Sequence, residues 1–376
     1  MYSLWKSGKN KVRGLQKRIN LKINFLLGTK AQFIKTIPVI NEAIKRGLDV
    51  TIFDLKQHAK TTEGLKEKID DKCNFINLDN LNYDLGTYVN LFKWFFKNLI
   101  KAIFIPIKSL KSEICIVHGD TLSTLLGVIT VKRNRGTLVL LEAGHKVPGV
   151  FMHFPESIIR YISAKFSDYL ISNGKDQLEQ LSRWKVKGGI KEISTNTIHD
   201  SVLQTKIIES NKSNRVLVSI HRTENLNNKN NMELLVNTLC KISKNFSITW
   251  CLHIPTKNKL IRYGFYKKLK KEGIELINLL PYEIFVNNIF NSEFVITDGG
   301  GVVEECQIIG TPTLVWRNEH LDQNHIFQKG KNLKLSNYDK KTIEQFIMNY
   351  KELIQDTESK TKYNPSVEVV DILTKI

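Results

Sequence analysis

Short apolar runs, each closed by a turn and followed by residues apolar at helical spacing, recur from Leu21 to Arg317. The run Ile114-Cys-Ile-Val-His118-Gly-Asp120 leads straight into Leu122–Val131. That pattern predicts a buried strand, a turn carrying a carboxylate, and a helix. Leu21–Leu27 predicts a strand that opens at Gly28-Thr29-Lys30 into a helix bearing Lys35 and Pro38. Asp49–Phe53, Thr137–Leu141 and Ser167–Ser172 read as further strands. Thr137–Leu141 ends in Glu142-Ala-Gly-His145-Lys146, and Pro155-Glu156 opens the next helix with proline followed by an acid in the first turn. Asp120, Glu142 and Glu156 thus each stand at a strand end or a helix start. One acid there is usually a cap or a solvated side chain; three on the same rim of one sheet are less easily dismissed, because ligands collect at the strand ends.

Ser194–Ser213 is polar and loses strong periodicity, which reads as a crossing to a second domain. Asn214–Ile220 then predicts a new first strand, ending in His221-Arg222-Thr-Glu224-Asn225. Ile248–Leu252, Glu275–Leu280, Glu293–Thr297 and Thr313–Arg317 continue the series. Glu293–Thr297 feeds Asp298-Gly299-Gly300-Gly301, a glycine turn at a helix start, where bare backbone can approach a phosphate closely. Glu305 follows on that helix, in reach of a ribose. Lys30 and Lys35 beside Gly28 would also suit an anion, but this is neither a Walker loop nor a dinucleotide glycine motif, and an ordinary strand–helix turn reads as well. The fold class expected is α/β, with two similar Rossmann-like domains facing a cleft. The boundaries read as a basic extension over residues 1–22, domains over 23–200 and 201–350, and a C-terminal helix within 351–376 that packs back on the first domain.

Composition changes this picture little. A chain of 376 residues suits two domains. A formal net charge of +19 favours anionic partners, although a lysine-rich composition bias accounts for it as well. The charge is diffuse and no DNA or RNA module is present, so nucleic acid is not expected as a partner. The five cysteines are scattered without a Cys-x-x-Cys pair, which fits buried thiols in a reducing compartment. With no apolar run long enough to span a bilayer and no signal-peptide core near Met1, a cytoplasmic location is expected. Leu91–Ile107 is aromatic, basic and helical in period. It reads either as a core-facing helix or as a peripheral contact with an anionic membrane, which would hold the protein at the inner face.

Taken in order, these motifs resemble the non-hydrolysing UDP-N-acetylglucosamine 2-epimerase family. Gly28-Thr-Lys30 through Lys35 and Pro38, His118-Gly-Asp120-Thr, Glu142-Ala-Gly, Pro155-Glu156-x-x-x-Arg160, His221-Arg222-x-Glu224-Asn225 and Thr297-Asp298-x-Gly300-Gly301-x-x-Glu304-Glu305 follow in family order. The intervals of 22 residues from Asp120 to Glu142 and 14 from Glu142 to Glu156 also agree. The resemblance implies a GT-B-like architecture and interconversion of UDP-GlcNAc and UDP-ManNAc by elimination and re-addition of UDP, serving cell-surface polysaccharide synthesis. It implies Asp120, Glu142, Glu156 and His221 as catalytic residues. It implies Lys30, Lys35, Lys146, Arg160, Arg222, Gly299, Gly300, Gly301 and Glu305 as substrate-binding residues. No cofactor and no metal are implied, and the partner expected besides the UDP-sugar is a second copy in a homodimer.

The chain also departs from the family pattern. Lys30 stands for the usual Arg, Ala31-Gln32 for Pro-Glu, His145-Lys146 for Leu-Arg, and Gly299 for Ser. Ser157 and Ile159 replace an acid and an Asn, and Asn318-Glu-His-Leu-Asp-Gln323 replaces a Thr-Glu-Arg-Pro-Glu segment. These changes leave a second reading open: a GT-B glycosyltransferase on the same scaffold, acting on a membrane-linked acceptor.

Overall fold

The computed structural model describes residues 21–81, 85, 88–145, 155–210, 214–318, 330–358 and 363–376. Residues 1–20 of the basic extension, Lys146, and residues 319–323 of the divergent segment lie outside the described residues. The first half contributes strands β1 (Lys22–Leu27), β2 (Asp49–Asp54), β3 (Asn74–Asn77), β4 (Ile114–His118), β5 (Thr137–Leu141), β6 (Tyr169–Ser172) and β7 (Gly189–Glu192). Its helices are α1 (Lys30–Lys45), α2 (Ala59–Lys66), α3 (Tyr88–Phe104), α4 (Leu122–Arg133), α5 (Glu156–Phe166), α6 (Lys175–Arg183) and α7 (Ile198–Gln204). The second half contributes strands β8 (Arg215–Ser219), β9 (Ser247–Leu252), β10 (Glu275–Asn278), β11 (Phe294–Thr297), β12 (Thr313–Val315) and β13 (Leu333–Leu335). Its helices are α8 (Thr223–Leu226), α9 (Lys229–Ile242), α10 (Ile254–Arg262), α11 (Phe265–Lys271), α12 (Tyr282–Phe290), α13 (Gly300–Ile309), α14 (Lys340–Asn349) and α15 (Pro365–Leu373).

The strands form two parallel sheets, ordered β3-β2-β1-β4-β5-β6-β7 and β10-β9-β8-β11-β12-β13. Strands β4 and β11 are buried along their whole length, as expected where helices cover both faces and apolar residues need not alternate. In each sheet the strand order reverses beside the first strand, between β1 and β4 and between β8 and β11. Side chains carried on the turns after these four strands therefore meet at crevices outside the strand ends.

The crossing at Ser194–Ser213 is not the featureless loop its polarity suggests. It contains α7, which buries Ile198, His199, Ser201 and Val202 against its neighbours. Helix α7 packs on both α1 and α13, joining the two domains. Its Ser201 answers a defect in α1: Pro38 has no N–H to give the Ile34 carbonyl one turn back. The Ser201 hydroxyl donates to that carbonyl instead, at 2.6 Å. Helix α15 closes the chain against α1, burying Val369, Val370 and Leu373, and its Ser366 N–H donates to Asp200 of α7 at 2.8 Å. One apolar core runs through this junction, from Phe25 and Ile40 to Val286, Val295 and Ile309.

Candidate active site

In the first domain the turns after β1 and β4 are joined by one side chain. Gln32 Oε1 accepts from the Gly28 and Thr29 amides at 2.9 and 3.1 Å. Its Nε2 donates to the His118 carbonyl at 2.8 Å and to the Thr124 hydroxyl at 2.9 Å. Both ends of a buried amide are thereby satisfied, and the turn bearing Lys30 is fixed to the turn bearing Asp120. Asp120 faces Arg160 of α5, whose Nε donates to Asp120 Oδ2, and both side chains are about a quarter exposed to the cleft. Glu156 stands one turn earlier on α5 and is exposed.

Glu142 is held quite differently. It adopts a left-handed backbone conformation, with φ 58°, an uncommon state for a residue with a side chain and one that clusters at functional sites. Its Oε1 accepts from Lys35 Nζ at 2.5 Å and Asn196 Nδ2 at 2.8 Å, and lies 3.0 Å from His145 Nε2. Its Oε2 lies 3.4 Å from His118 Nε2. Burial alone would raise the Glu142 pKa; Lys35 and then the two histidines hold it well below the usual carboxylate range. Burial likewise works against the Lys35 ammonium, but Glu142 and Glu304 overcome it and raise its pKa. His118 is buried, which pushes its pKa down to about 4 and keeps the ring neutral.

Lys35 also reaches the second domain, 3.7 Å from Glu304 of α13. Lys30 makes the companion crossing, its ammonium donating to the Leu280 carbonyl at 3.1 Å. Burial lowers the Lys30 pKa, opposed by Glu305. Burial and the neighbouring Glu304 push Glu305 up to about 8. Its carboxylate and the buried Tyr282 hydroxyl face each other, and neither Oε2 nor that hydroxyl has a well-formed hydrogen bond to any other group.

The turn after β8 is set by Asp298, fully buried at the end of β11. Asp298 accepts from the His221 and Arg222 amides at 3.0 Å each and from Asn225 Nδ2 at 2.9 Å. Burial raises its pKa, against the pull of these donors. His221 stacks on His253, with ring centroids 4.6 Å apart. Burial, followed by Arg222 and Arg317, lowers His221 to about 4; burial and His221 do the same for His253. Gly299 caps α13, and Gly300 and Gly301 form its first turn, with the Arg222 guanidinium beside Gly300 and open space beside Gly301. Amides of that turn are unfilled donors suited to a phosphate.

Thus Lys35 and Glu142 meet in one cluster with Glu304 across the cleft, Asp120 pairs with Arg160, and His221, Arg222 and Gly299 surround Asp298. Among the residues given no site role from the sequence, His118, His145 and Asn196 contact Glu142, Glu304 contacts Lys35, Tyr282 lies beside Glu305, and His253 stacks on His221. His118, Glu304 and His253 lie at ends of apolar runs or inside motifs already noted, so their positions were legible. Asn196 and Tyr282 stand in polar or mixed stretches that carry no such signal. Among the described residues no group of three or more His, Cys, Asp or Glu side chains is arranged to hold a metal ion.

A family model described as UDP-N-acetylglucosamine 2-epimerase matches residues 42–369. UDP-N-acetylglucosamine 2-epimerase of Methanocaldococcus jannaschii is 27% identical over 340 residues, 86% of this chain and 90% of the relative. The crystal structure of that organism's UDP-GlcNAc 2-epimerase in complex with UDP-GlcNAc and UDP superposes with a TM-score of 0.73 at 25% identity, covering 95% of this chain and all of the other. UGT2 of Phytolacca americana, complexed with UDP-2fluoro-glucose and pterostilbene, has a TM-score of 0.54 at 11% identity, covering 94% of this chain and 99% of the other; that likeness is one of GT-B-like fold alone.

Proposed function

The chain belongs to the UDP-N-acetylglucosamine 2-epimerase family, and on that premise we propose that it interconverts UDP-GlcNAc and UDP-ManNAc. UDP leaves across C1–C2 of the sugar, giving a 2-acetamidoglucal, and adds back with C2 protonated on the other face. The observation that carries this reading is the Lys35 ammonium, set between Glu142 of one domain and Glu304 of the other. Without substrate, Lys35 neutralises Glu142. A diphosphate entering the cleft competes for that ammonium, and Glu142 then loses the cation that makes it so weak a base. Lys30, Lys35, Arg222 and the amides of Gly300 and Gly301, on the turn capped by Gly299, receive the diphosphate and stabilise its charge as the C1–O bond breaks. His221 stands beside the leaving phosphate, and Glu305 takes the ribose hydroxyls. Asp120, Glu142 and Glu156 divide the removal and return of the C2 proton between the two faces of the sugar, with Arg160 orienting Asp120.

A glycosyltransferase reading is disfavoured, because the family match is to epimerases and the likeness to the Phytolacca protein extends only to the fold. The test is incubation with UDP-GlcNAc in D2O, followed at C2 by NMR. Deuterium at C2 together with UDP-ManNAc is expected. Release of UDP only on addition of an acceptor, without exchange at C2, would refute the epimerase. Supply of activated ManNAc to cell-surface polysaccharide from the cytoplasm is the role that fits such an activity and the free thiols of Cys73, Cys115, Cys240, Cys251 and Cys306.

We also infer that two copies associate through α3. This helix buries Trp94, Asn98 and Ala102 on its own domain, leaving Val89, Phe92, Phe96, Ile100 and Phe104 exposed along the other side. Phe92 and Phe96 already pack ring to ring at 4.4 Å. A second α3 related by a two-fold axis would cover such a stripe with its own copy. An anionic membrane would compete for the same face. However, Lys97 is drawn to Asp79 at 2.7 Å and Lys101 donates to the Leu78 carbonyl at 3.1 Å, so two of the three ammoniums on α3 are engaged by the protein. No helix among the described residues is long and apolar enough to cross a membrane. Light scattering should give a dimer that F92D/F96D converts to monomer. A monomeric wild type that sediments with phosphatidylglycerol vesicles would assign the stripe to lipid instead.

A further inference from the structure

Gly299 occupies a position whose backbone does not call for glycine. Its φ is −84° and ψ 126°, the extended conformation usual for a helix cap. Serine, threonine, asparagine or aspartate is favoured there, because the side-chain oxygen can accept from an amide of the first turn. Glycine at the cap of α13 gives up that bond without gaining conformational freedom the chain uses. What it does gain is space on one side. A Cβ built on Gly299 would lie 2.8 Å from Cε1 of His221, with Val302 Cγ2 at 3.6 Å and His221 Nδ1 at 3.7 Å. The close contact is with the imidazole.

The imidazole is bounded on two sides, so a side chain at position 299 can displace it only toward the open cleft. Its ring lies on that of His253, inclined by 29° at a centroid separation of 4.6 Å. Its Nδ1 is 3.4 Å from Asp298 Oδ1, buried and without a well-formed hydrogen bond. Asp298 cannot yield, since it also anchors the His221 and Arg222 amides and the Asn225 side chain. The ring is flanked by His253 from the end of β9, Asp298 from β11 and the bare Cα of the helix cap, and its remaining side opens to the cleft.

We propose that Gly299 is a positioning residue for His221: the missing side chain is the seat in which the imidazole, stacked on His253, is held against the first turn of α13. This rests on the epimerase reading for its catalytic consequence, because that turn and His221 are where the departing diphosphate is expected. A side chain at position 299 displaces the ring from the phosphate site. Restoring the serine of the family pattern therefore impairs this enzyme although it supplies both a cap and a hydroxyl.

The test is a double-mutant cycle on the full chain: G299A, G299S, H253A and G299A/H253A, with UDP affinity by calorimetry, kcat and KM for UDP-GlcNAc, and melting temperature. G299A and G299S should each lower kcat by about tenfold or more, the scale for a catalytic group displaced on the order of 1 Å. Their melting temperatures should change little, since both substitutions suit the cap backbone and the displaced ring can move toward the open cleft. Removing His253 gives the ring somewhere to go, so G299A should cost several-fold less in the H253A background than in wild type. The His221 Cε1–H resonance, identified by its loss in H221N, should shift in G299A with no ligand present. An unshifted resonance, a G299A with wild-type kcat, or an equal G299A loss in both backgrounds overturns the proposal. If the wild type binds UDP but does not epimerise UDP-GlcNAc, the reaction reading fails, while the resonance and the UDP affinities still decide the role of Gly299.

Discussion

Replacing Lys35 with Met keeps the aliphatic stem and removes the one ammonium shared by Glu142 and Glu304. At 2.5 and 3.7 Å the two attractions are about 7 and about 4.5 kcal/mol at an effective dielectric near 20. Desolvation of three largely buried ions offsets most of that sum. Removing one partner of such a cluster costs about 3–5 kcal/mol, because the remaining charge is left uncompensated. The pH dependence gives the sharper signature. In the wild type the Glu142 pKa is depressed, so its contribution to stability is present above the unfolded value and is lost as pH falls through the folded one. In K35M, only the histidines oppose the burial that raises the carboxyl pKa values, which therefore rise. Stability then declines as pH rises through those raised values, and acid allows the buried carboxyls to be neutral. Urea unfolding should therefore find K35M destabilised by about 3 kcal/mol or more near pH 8 and by clearly less near pH 5. A deficit equal at both pH values, or one within about 1 kcal/mol of zero at pH 8, would show that Lys35 is not the counter-ion on which Glu142 depends.

Three further outcomes follow from particular contacts. D120N should abolish turnover of UDP-GlcNAc while UDP affinity stays within about threefold, since Asp120 meets Arg160 and not the glycine turn of α13; normal turnover would remove Asp120 from the proton transfers. His199 is buried, which by itself would lower its pKa, but Asp200 and Glu358 raise it from 6.5 to about 9. Its stabilising contribution is full below the unfolded pKa and is lost as pH rises through the folded one, so H199Q should flatten the fall in melting temperature between those values; an unchanged slope would refute the assignment. S201A should cost about 1–3 kcal/mol by stranding the Ile34 carbonyl. P38A/S201A should recover part of that loss through the restored helical N–H, and strict additivity would contradict the account.

Local pattern was enough to determine which residues end strands and which open helices, because burial of both faces of a parallel sheet imposes unbroken apolar runs and the turn residues mark their ends. Asp120, Glu142, His221 and Gly299 were therefore legible one by one, each on its own strand–turn–helix unit. The family resemblance, carried by the order of those units, gave the reaction. What each side chain does depended on neighbours that only the sheet order supplies. Lys35 and Glu142 are 107 residues apart in the chain and 2.5 Å apart in space. Nothing in the local sequence separates Glu142, pinned by a cation, two histidines and Asn196, from Asp120, which faces a single arginine at the cleft. The same holds for α7, whose polar stretch loses periodicity because its buried face is shared between α1 and α13. It holds again for Gly299, which resembles an ordinary member of a glycine turn until His221 is seen beside its Cα. Ionisation and steric room are set by burial and by side chains arriving from other strands, and those become defined only when the two sheets have closed around the cleft.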